Sequence, residues 1–377
     1  MGDAIQLRDP AGRPLAGQTA ALLDGGDEAF PRMLAAIAAA RRSVHLEVYV
    51  FTFDEVGARF VEALAEAGRR GVAVTVVVDG FGSARDSRYL QVVLGAAGCA
   101  VQVYHPLLSL LLGRWRRSHR KLLLVDGEVG FVGGLNIGAA YGCASLVEAP
   151  RAAPPPAPWL DLALELRGPV VGWLERRLAG ARARPPAGPL RVSLSGLGGG
   201  RRLRRQHVKA VGRAKREVLL AHGYFIPDRR LVRSLTAAAR RGVAVTLLLA
   251  GRSDVPFHRP ATMRLYRQFL RAGVRIFEWR RSVHHAKALV VDGRRLLLGS
   301  FNLDPLSLSN LEVLVEVRDP AVARAGAAWI EAQVGRAREV TPLELAGRSR
   351  LRVWLLDRLG LLVARGAALV ARLLARR

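Results

Sequence analysis

Lysine is nearly absent from this chain. Four occur among 377 residues, although lysine and arginine together number 58. Acidic residues are also few, at 31, which leaves a formal charge of +27. That balance suits a polyanionic partner, either nucleic acid or an anionic lipid surface. Cysteine is as scarce. Cys99 and Cys143 stand alone with no CxxC pair, which excludes a disulfide framework and fits a reducing compartment. No stretch approaches ~18 uncharged apolar residues, so no spanning helix is expected. The start, MGDAIQLRDPAGRPLAG, has no apolar core of signal-peptide length. The expectation is a chain that is soluble or lies on a membrane. Half the residues are apolar, enough for a sizeable core. The length suits two ordinary domains or one fused pseudo-dimer.

What the sequence does contain is repetition. RRGVAVT occurs at 69–75 and again at 240–246, an offset of 171. Upstream, SVHLEVYVFTFD (43–54) aligns with EVLLAHGYFIPD (217–228) at an offset of 174. Downstream, HRKLLLVDGEVGFVGGLN (119–136) aligns with HAKALVVDGRRLLLGSFN (285–302) at 166, and DLALEL (161–166) with EVLVEV (312–317) at 151. The shrinking offsets place extra residues in the first half, mostly between Asn136 and Asp161. APRAAPPPAP (149–158) there reads as a surface loop.

Each half alternates short β-branched runs with helical stretches. In the first, strand 43–53 leads to helix 55–70 and strand 72–79, then to a helix near 87–97 and strand 99–104. The second repeats this from about 216, after a Gly-, Pro- and Arg-rich connection at 180–202. Apolar strands between helices predict sheets covered on both faces. The expected architecture is α/β, with two similar units (a mixed sheet flanked by helices) packed face to face as a pseudo-two-fold dimer within one chain. Residues 1–185 form the first unit and 186–340 the second, followed by a basic amphipathic helix over 341–377.

Two of the four lysines, Lys121 and Lys287, occupy the same place in the repeat, two residues after His119 and His285. Side chains alternate along a strand, so each lysine shares a side with its histidine. Keeping lysine against a near-total replacement by arginine points to a need for a compact ammonium. Asp126-Gly127 and Asp292-Gly293 are hairpin signals. Folding about them brings His119 opposite residue 135 and His285 opposite residue 301. Gly133-Gly134-Leu135-Asn136 and Gly299-Ser300-Phe301-Asn302 thus return beside the histidines. There Gly134 allows close approach of a ligand, and the Asn136 and Asn302 amides can donate to anionic oxygens. Asp161 and Glu312 open otherwise apolar strands, an awkward place for an acid without a partner. They are expected to orient the histidines. By the same residue-level reading, Asp126 and Asp292 are turn or scaffold residues.

HxKxxxxD followed after six residues by GGLN or GSFN resembles the phospholipase D superfamily, in which two such motifs form one active site. With HLEVYVF, DGFGS (79–83), GYFIPD, GSFNLDP and NLEV, the chain is similar over about residues 20–335 to the bacterial cardiolipin synthases, especially the type lacking N-terminal transmembrane helices. The resemblance implies that His119, Lys121, Asp126, His285, Lys287 and Asp292 carry catalysis, and that one histidine attacks a phosphodiester while the other protonates the leaving alcohol. It favours His119 as the attacker. It also implies that Asn136, Asn302, Gly134 and Ser300 contact the phosphate, with no metal or cofactor. The chain departs from the family in carrying Gly134 opposite Ser300, Asp304-Pro305-Leu306-Ser307 in place of DPRS, and His284 in place of an apolar residue.

Two segments bear on the partner. LLSLLLGRWRR (107–117) can be read as dipping into a bilayer or as an ordinary buried turn or helix. The tail 349–377 spaces Arg358, Arg365 and Arg372 seven apart among Leu, Val, Ala and Trp354. That pattern suits an anionic membrane interface, with packing against protein as the alternative. The expected partners are an anionic phospholipid membrane and phospholipid substrates, at the cytoplasmic face of the cell membrane. Nucleic acid is disfavoured because no aromatic interleaving marks a single-strand groove. The oligomeric state stays open. The expected function is phosphatidyl transfer making cardiolipin from phosphatidylglycerol and a second phospholipid, with hydrolysis of phospholipid or nucleic acid as the alternative.

Overall fold

The computed structural model describes residues 2–9, 11–106, 116–142, 146, 157–196, 199–255 and 258–343. The segment 107–115, most of the proline-rich loop and the tail from 344 onward lie outside the described residues. So do the sequence readings that fall on them.

Two hairpins set the frame. Strands β6 (Leu122–Val125) and β7 (Val129–Gly133) pair Leu122 with Val132 and Val125 with Val129. Strands β13 (Lys287–Val291) and β14 (Arg295–Gly299) pair Ala288 with Leu298 and Val291 with Arg295. Continuing either register places His119 opposite Leu135 and His285 opposite Phe301, as the Asp-Gly turns predict. Asp126 and Gly127 take φ values of 53° and 65°, and Asp292 and Gly293 take 55° and 58°. These left-handed values are those of the hairpin turn that matches strand twist.

Each hairpin sits inside an eight-stranded mixed sheet. The first sheet adds β1 (Ile5–Arg8), β2 (Pro14–Asp24), β3 (Ser43–Val48), β4 (Ala73–Asp79), β5 (Ala100–Tyr104) and β8 (Leu162–Arg167), in the order β1-β2-β8-β7-β6-β3-β4-β5. The second adds β9 (Leu190–Leu194), β10 (Glu217–His222), β11 (Ala244–Ala250), β12 (Arg275–Trp279), β15 (Val313–Val317) and β16 (Arg338–Glu339), in the order β16-β12-β11-β10-β13-β14-β15-β9. Read from opposite ends, seven strands of the two orders coincide, from β2 matching β9 and β8 matching β15 to β5 matching β12, while β1 and β16 each extend one sheet alone. Strand β9 corrects the reading of 180–202 as connection alone: Leu190–Leu194 pairs along β15 and closes the second sheet's edge. Its alternation of Leu, Arg, Val and Ser is short and sits in Pro- and Gly-rich surroundings, which hid it.

Period-two alternation explains why the central strands are buried on both faces. Leu122 and Leu124 point to a core shared with Ala288 and Val290 of the other unit. Leu123 and Val125 point to the opposite face, among Phe30, Ile37, Phe60 and Leu64 of α1 (Gly25–Ala39) and α2 (Glu55–Arg69). Leu289 and Val291 likewise meet Leu203, Val211 and Leu235 of α5 (Gly200–Gly212) and α6 (Arg229–Arg240). Trp173 of α4 (Pro169–Leu178) and Trp329 of α9 (Pro320–Val334) complete the shared core. Each buried large apolar side chain contributes roughly 1.5–3 kcal/mol, so the inter-unit layer is a core in its own right. The two sheets thus pack face to face, and the strand ends that carry the histidines meet at one edge of that layer.

Asp126 and Asp292 lie at the far ends of β6 and β13 from the histidines. The Asp126 carboxylate accepts from the N–H groups of Arg41 (2.9 Å), Arg42 (2.7 Å) and Ser43 (2.8 Å). Asp292 accepts from Lys215 (3.1 Å), Arg216 (2.8 Å) and Glu217 (3.1 Å). This corrects the catalytic role that the motif implied for both. They fasten each hairpin turn to the start of the neighbouring strand. Asp126→Ala is expected to lower stability by about 1–2 kcal/mol through the lost carboxylate acceptors. Denaturant unfolding measures this. Turnover by the folded variant should suffer far less than in His119→Ala, and an equal loss in both would return Asp126 to the reaction.

Candidate active site

The segments leading into the two hairpins cross between the units. Ser118 bridges Leu311, and the His119 N–H donates to the Leu311 carbonyl at 2.8 Å. Leu160 bridges His284, and the His285 N–H donates to the Leu160 carbonyl at 2.8 Å. Each histidine therefore runs beside the residue preceding the other unit's carboxylate. The side chains follow: His119 Nδ1 lies 3.1 Å from both Glu312 oxygens, and His285 Nδ1 lies 2.6 Å from Asp161 Oδ2. All four groups are buried. A carboxylate at Nδ1 fixes the proton there and leaves the Nε2 lone pair as the nucleophile or base. The carboxylates expected in each repeat are present, but each serves the histidine of the other.

Lys121 and Lys287 are buried beside them. Their ammonium groups donate to the carbonyls of His119 (3.0 Å) and His285, and lie over the rings of Tyr49 (5.3 Å) and Tyr224 (5.6 Å). Burial and the neighbouring Lys287 push Lys121 down to about 7, and burial pushes Lys287 down to about 8. Both lysines also act on both histidines, which burial already holds low, His285 at about 4. Burial lifts Glu312 to about 8. Asp161 stays below the usual aspartate range: burial opposes its charge, but His285 and Lys287 outweigh it. Two lysines, two imidazoles, Asp161 and a Glu312 pushed toward its neutral form thus share one buried site that favours an added anion.

The return loops hold the carboxylates more than they open to a ligand. A Cβ on Gly134 would sit 2.1 Å from Asp161 Oδ1, so glycine is the residue that lets this carboxylate reach His285. The Ser300 hydroxyl donates to Glu312 and accepts from the Val313 N–H at 3.0 Å. This corrects the reading of Gly134 and Ser300 as phosphate contacts: each accommodates or braces its own unit's carboxylate. Asn136 accepts from the Val50 N–H (3.0 Å) and donates to the Tyr141 hydroxyl (2.5 Å), so among the described residues one amide N–H is left for a ligand. Asn302 is buried, and its Oδ1 has no partner among the described residues. His284 turns away to the Leu248 carbonyl (3.2 Å), while His285 meets the carboxylate.

Several residues escaped the sequence reading. Tyr49 stands edge-on to His119 at 5.0 Å, and Tyr141, Trp159 and Tyr224 surround His285 at 5.4, 5.6 and 5.6 Å. Tyr49 and Tyr224 both lie just past the repeated upstream strands, but at the offset of 174 Tyr49 aligns with Gly223 and Tyr224 with Val50, so the repeat did not pair them. Tyr141 and Trp159 have no counterpart in the repeat. Ser195, just past β9, accepts from the Glu312 N–H (2.6 Å) and donates to the Asn310 carbonyl (2.8 Å). Among the described residues, no three His, Cys, Asp or Glu side chains are grouped to hold a metal ion.

Two such units around one pair of His-x-Lys hairpins form the phospholipase D-like fold. The chain aligns over 98% of its length with 96% of a phosphatidylserine synthase from Haemophilus influenzae, at a TM-score of 0.71 and 13% identity, a likeness of fold. The family model described as cardiolipin synthase, PLD-like domain, matches residues 33–141 and 208–333. Cardiolipin synthase B of Salmonella typhi is 34% identical over 322 residues, 79% of this chain and 76% of that protein. Cardiolipin synthase A of Pseudomonas aeruginosa is 34% identical over 375 residues, 93% of this chain and 73% of that protein. The chain belongs to the cardiolipin synthase family.

The lysines give a pH test. Each binds an anion only while protonated, so affinity should be full below the free-site values of about 7 and 8 and fall as pH rises through them. A dialkyl phosphate keeps its single charge across this range. Its dissociation constant, measured by calorimetry, should rise with pH, and a flat profile would remove the lysines from anion binding.

Proposed function

We infer that this chain is a phosphatidyltransferase that makes cardiolipin from phosphatidylglycerol and a second phospholipid. The observation that carries this is the crossed arrangement, His119 on Glu312 and His285 on Asp161, which gives one phosphorus a nucleophile and an acid–base group of the same kind. In the first step one histidine Nε2 attacks phosphorus. The P–O bond to glycerol breaks, and the other histidine, entering this step as the imidazolium that the bound phosphate's negative charge favours, gives glycerol its Nε2 proton. In the second step that histidine takes the proton of the second lipid's hydroxyl. A new P–O bond forms, and the P–N bond breaks. Two phosphatidylglycerols thus become cardiolipin and glycerol. Lys121 and Lys287 neutralise the equatorial oxygens in both steps, and one N–H of Asn136 is placed to assist.

The site of action is the membrane surface. Among the described residues no helix is long and apolar enough to cross a bilayer. A charge of +27 and the arginine-spaced C-terminal sequence favour peripheral attachment to the anionic cytoplasmic face.

Purified protein given labelled phosphatidylglycerol in anionic vesicles should release glycerol and form cardiolipin. Phosphatidic acid as the sole product would make it a hydrolase. His119→Ala and His285→Ala should each abolish turnover, and substantial activity in either would sink the two-histidine scheme. Asp161→Asn, which leaves His285 without its anion, should cost roughly 10²-fold or more in rate.

A further inference from the structure

A reaction that joins two phospholipids brings a second phosphate into the site. The transferring phosphate has Lys121 and Lys287. The phosphate of the accepting lipid, tied to its attacking hydroxyl by a three-carbon bridge, needs a cation of its own a short distance away. Three arginines flank the first histidine within reach. Arg116 donates through Nε to the Ser309 carbonyl (3.0 Å). Arg120 is matched by the Glu47 carboxylate (3.4 Å) and the Ser195 carbonyl (2.9 Å), and only its Nε is left without a partner among the described residues.

Arg117 is the most deeply buried of the three, and unlike Arg120 it has no carboxylate within hydrogen-bond distance. Its residue is only 9% exposed, and its Nη2 meets no hydrogen-bond partner among the described residues. Nη1 donates to the His105 carbonyl at 3.1 Å, and the nearest carboxylate oxygen, on Asp79, is 3.9 Å away. That carboxylate is already used by the N–H groups of Phe81 (2.9 Å), Gly82 (3.1 Å) and Ser118 (2.8 Å). A guanidinium buried with a free donor and a long ion pair is costly unless something else binds it. Arg117 and His119 are two positions apart in extended chain, with Ser118 between them held by its bridge to Leu311. They therefore project to the same side, roughly 6.6 Å apart along the backbone. That step is comparable to the span between two phosphates joined through glycerol. Tyr49 links the positions: its ring meets His119, and its hydroxyl feels the Arg117 charge. The exposed Phe81 ring lies 5.5 Å from the guanidinium carbon. In the second unit the matching position is Val283, so the feature belongs to one side of the site only.

We propose that Arg117 binds the phosphate of the accepting phospholipid, and so selects a phosphate-bearing lipid over water or a simple alcohol as the group that collects the phosphatidyl moiety. This rests on the phosphatidyltransferase reading. A planar guanidinium with free N–H groups can grip a phosphate through two oxygens, which an ammonium cannot. It also accounts for arginine here beside a lysine at 121: the transferring phosphorus meets ammonium groups, and the spectator phosphate meets the guanidinium.

The test is a competition in one vessel. Wild type, Arg117→Ala and Arg117→Lys are given labelled phosphatidylglycerol with ethanol as a phosphate-free acceptor, and the ratio of cardiolipin to phosphatidylethanol is measured. The ratio should fall about 10- to 100-fold in Arg117→Ala, the effect of losing a charge-assisted contact. It should fall less in Arg117→Lys, which keeps the charge. Melting temperatures identify any variant that fails to fold, and Arg117→Lys then carries the comparison. If both products decline together, Arg117 serves the transferring phosphate or the fold, and the proposal is overturned. An unchanged ratio overturns it as well. Wild type that makes the small-alcohol product but no cardiolipin would instead overturn the functional reading, and this proposal with it.

Discussion

Everything in this molecule that concerns chemistry depends on two histidine–carboxylate pairs being exchanged between the repeats. Glu312 of the second unit holds His119 of the first, and Asp161 of the first holds His285 of the second. Neither unit contains a finished site. The exchange has a backbone cause, because the chain leading to each histidine hydrogen-bonds to the chain leading to the other unit's carboxylate. That crossing requires the two sheets to lie face to face over a common core, and the alternating leucines and valines of β6 and β13 provide one. Sheet packing, hairpin register and imidazole tautomer are thus successive consequences of one arrangement.

The electrostatics follow from the same arrangement. Burying two ammonium groups is expensive unless acids are close, and the exchanged carboxylates are the acids. They are also committed to the histidines, so the lysines remain undercompensated and shifted well down, to about 7 and about 8. A phosphodiester supplies the missing negative charge. The site is assembled and buried before substrate arrives, which is the preorganisation that charge-stabilising catalysis needs. Gly134 and Ser300 show how differently the two repeats reach the same end. One makes room for its carboxylate by lacking a side chain, and the other braces its carboxylate with a hydroxyl.

Much of this was legible in the residues. Asp-Gly at 126–127 and 292–293 determined the hairpin register, and with it which glycines and asparagines return beside His119 and His285. The repeat offsets located Asp161 and Glu312. The exchange itself was not legible, because offsets align a residue with its counterpart and say nothing about which unit it touches. Strand β9 was concealed by the Pro- and Gly-rich residues around it, and β2 has no repeat partner in sequence that would betray it. Tyr141 and Trp159 belong to a stretch with no repeat at all. Ser300 was misassigned because a hydroxyl near a phosphate site has the same sequence signature whether it touches the ligand or the carboxylate behind it.

The most direct test counts covalent intermediates. Rapid quenching during turnover, followed by intact-protein mass measurement, reads how many phosphatidyl groups each chain carries. Two motifs completing one site through exchanged carboxylates predict at most one phosphatidyl group per chain, on a single histidine. Chains carrying two, one on His119 and one on His285, would mean that each repeat works alone and would contradict the account.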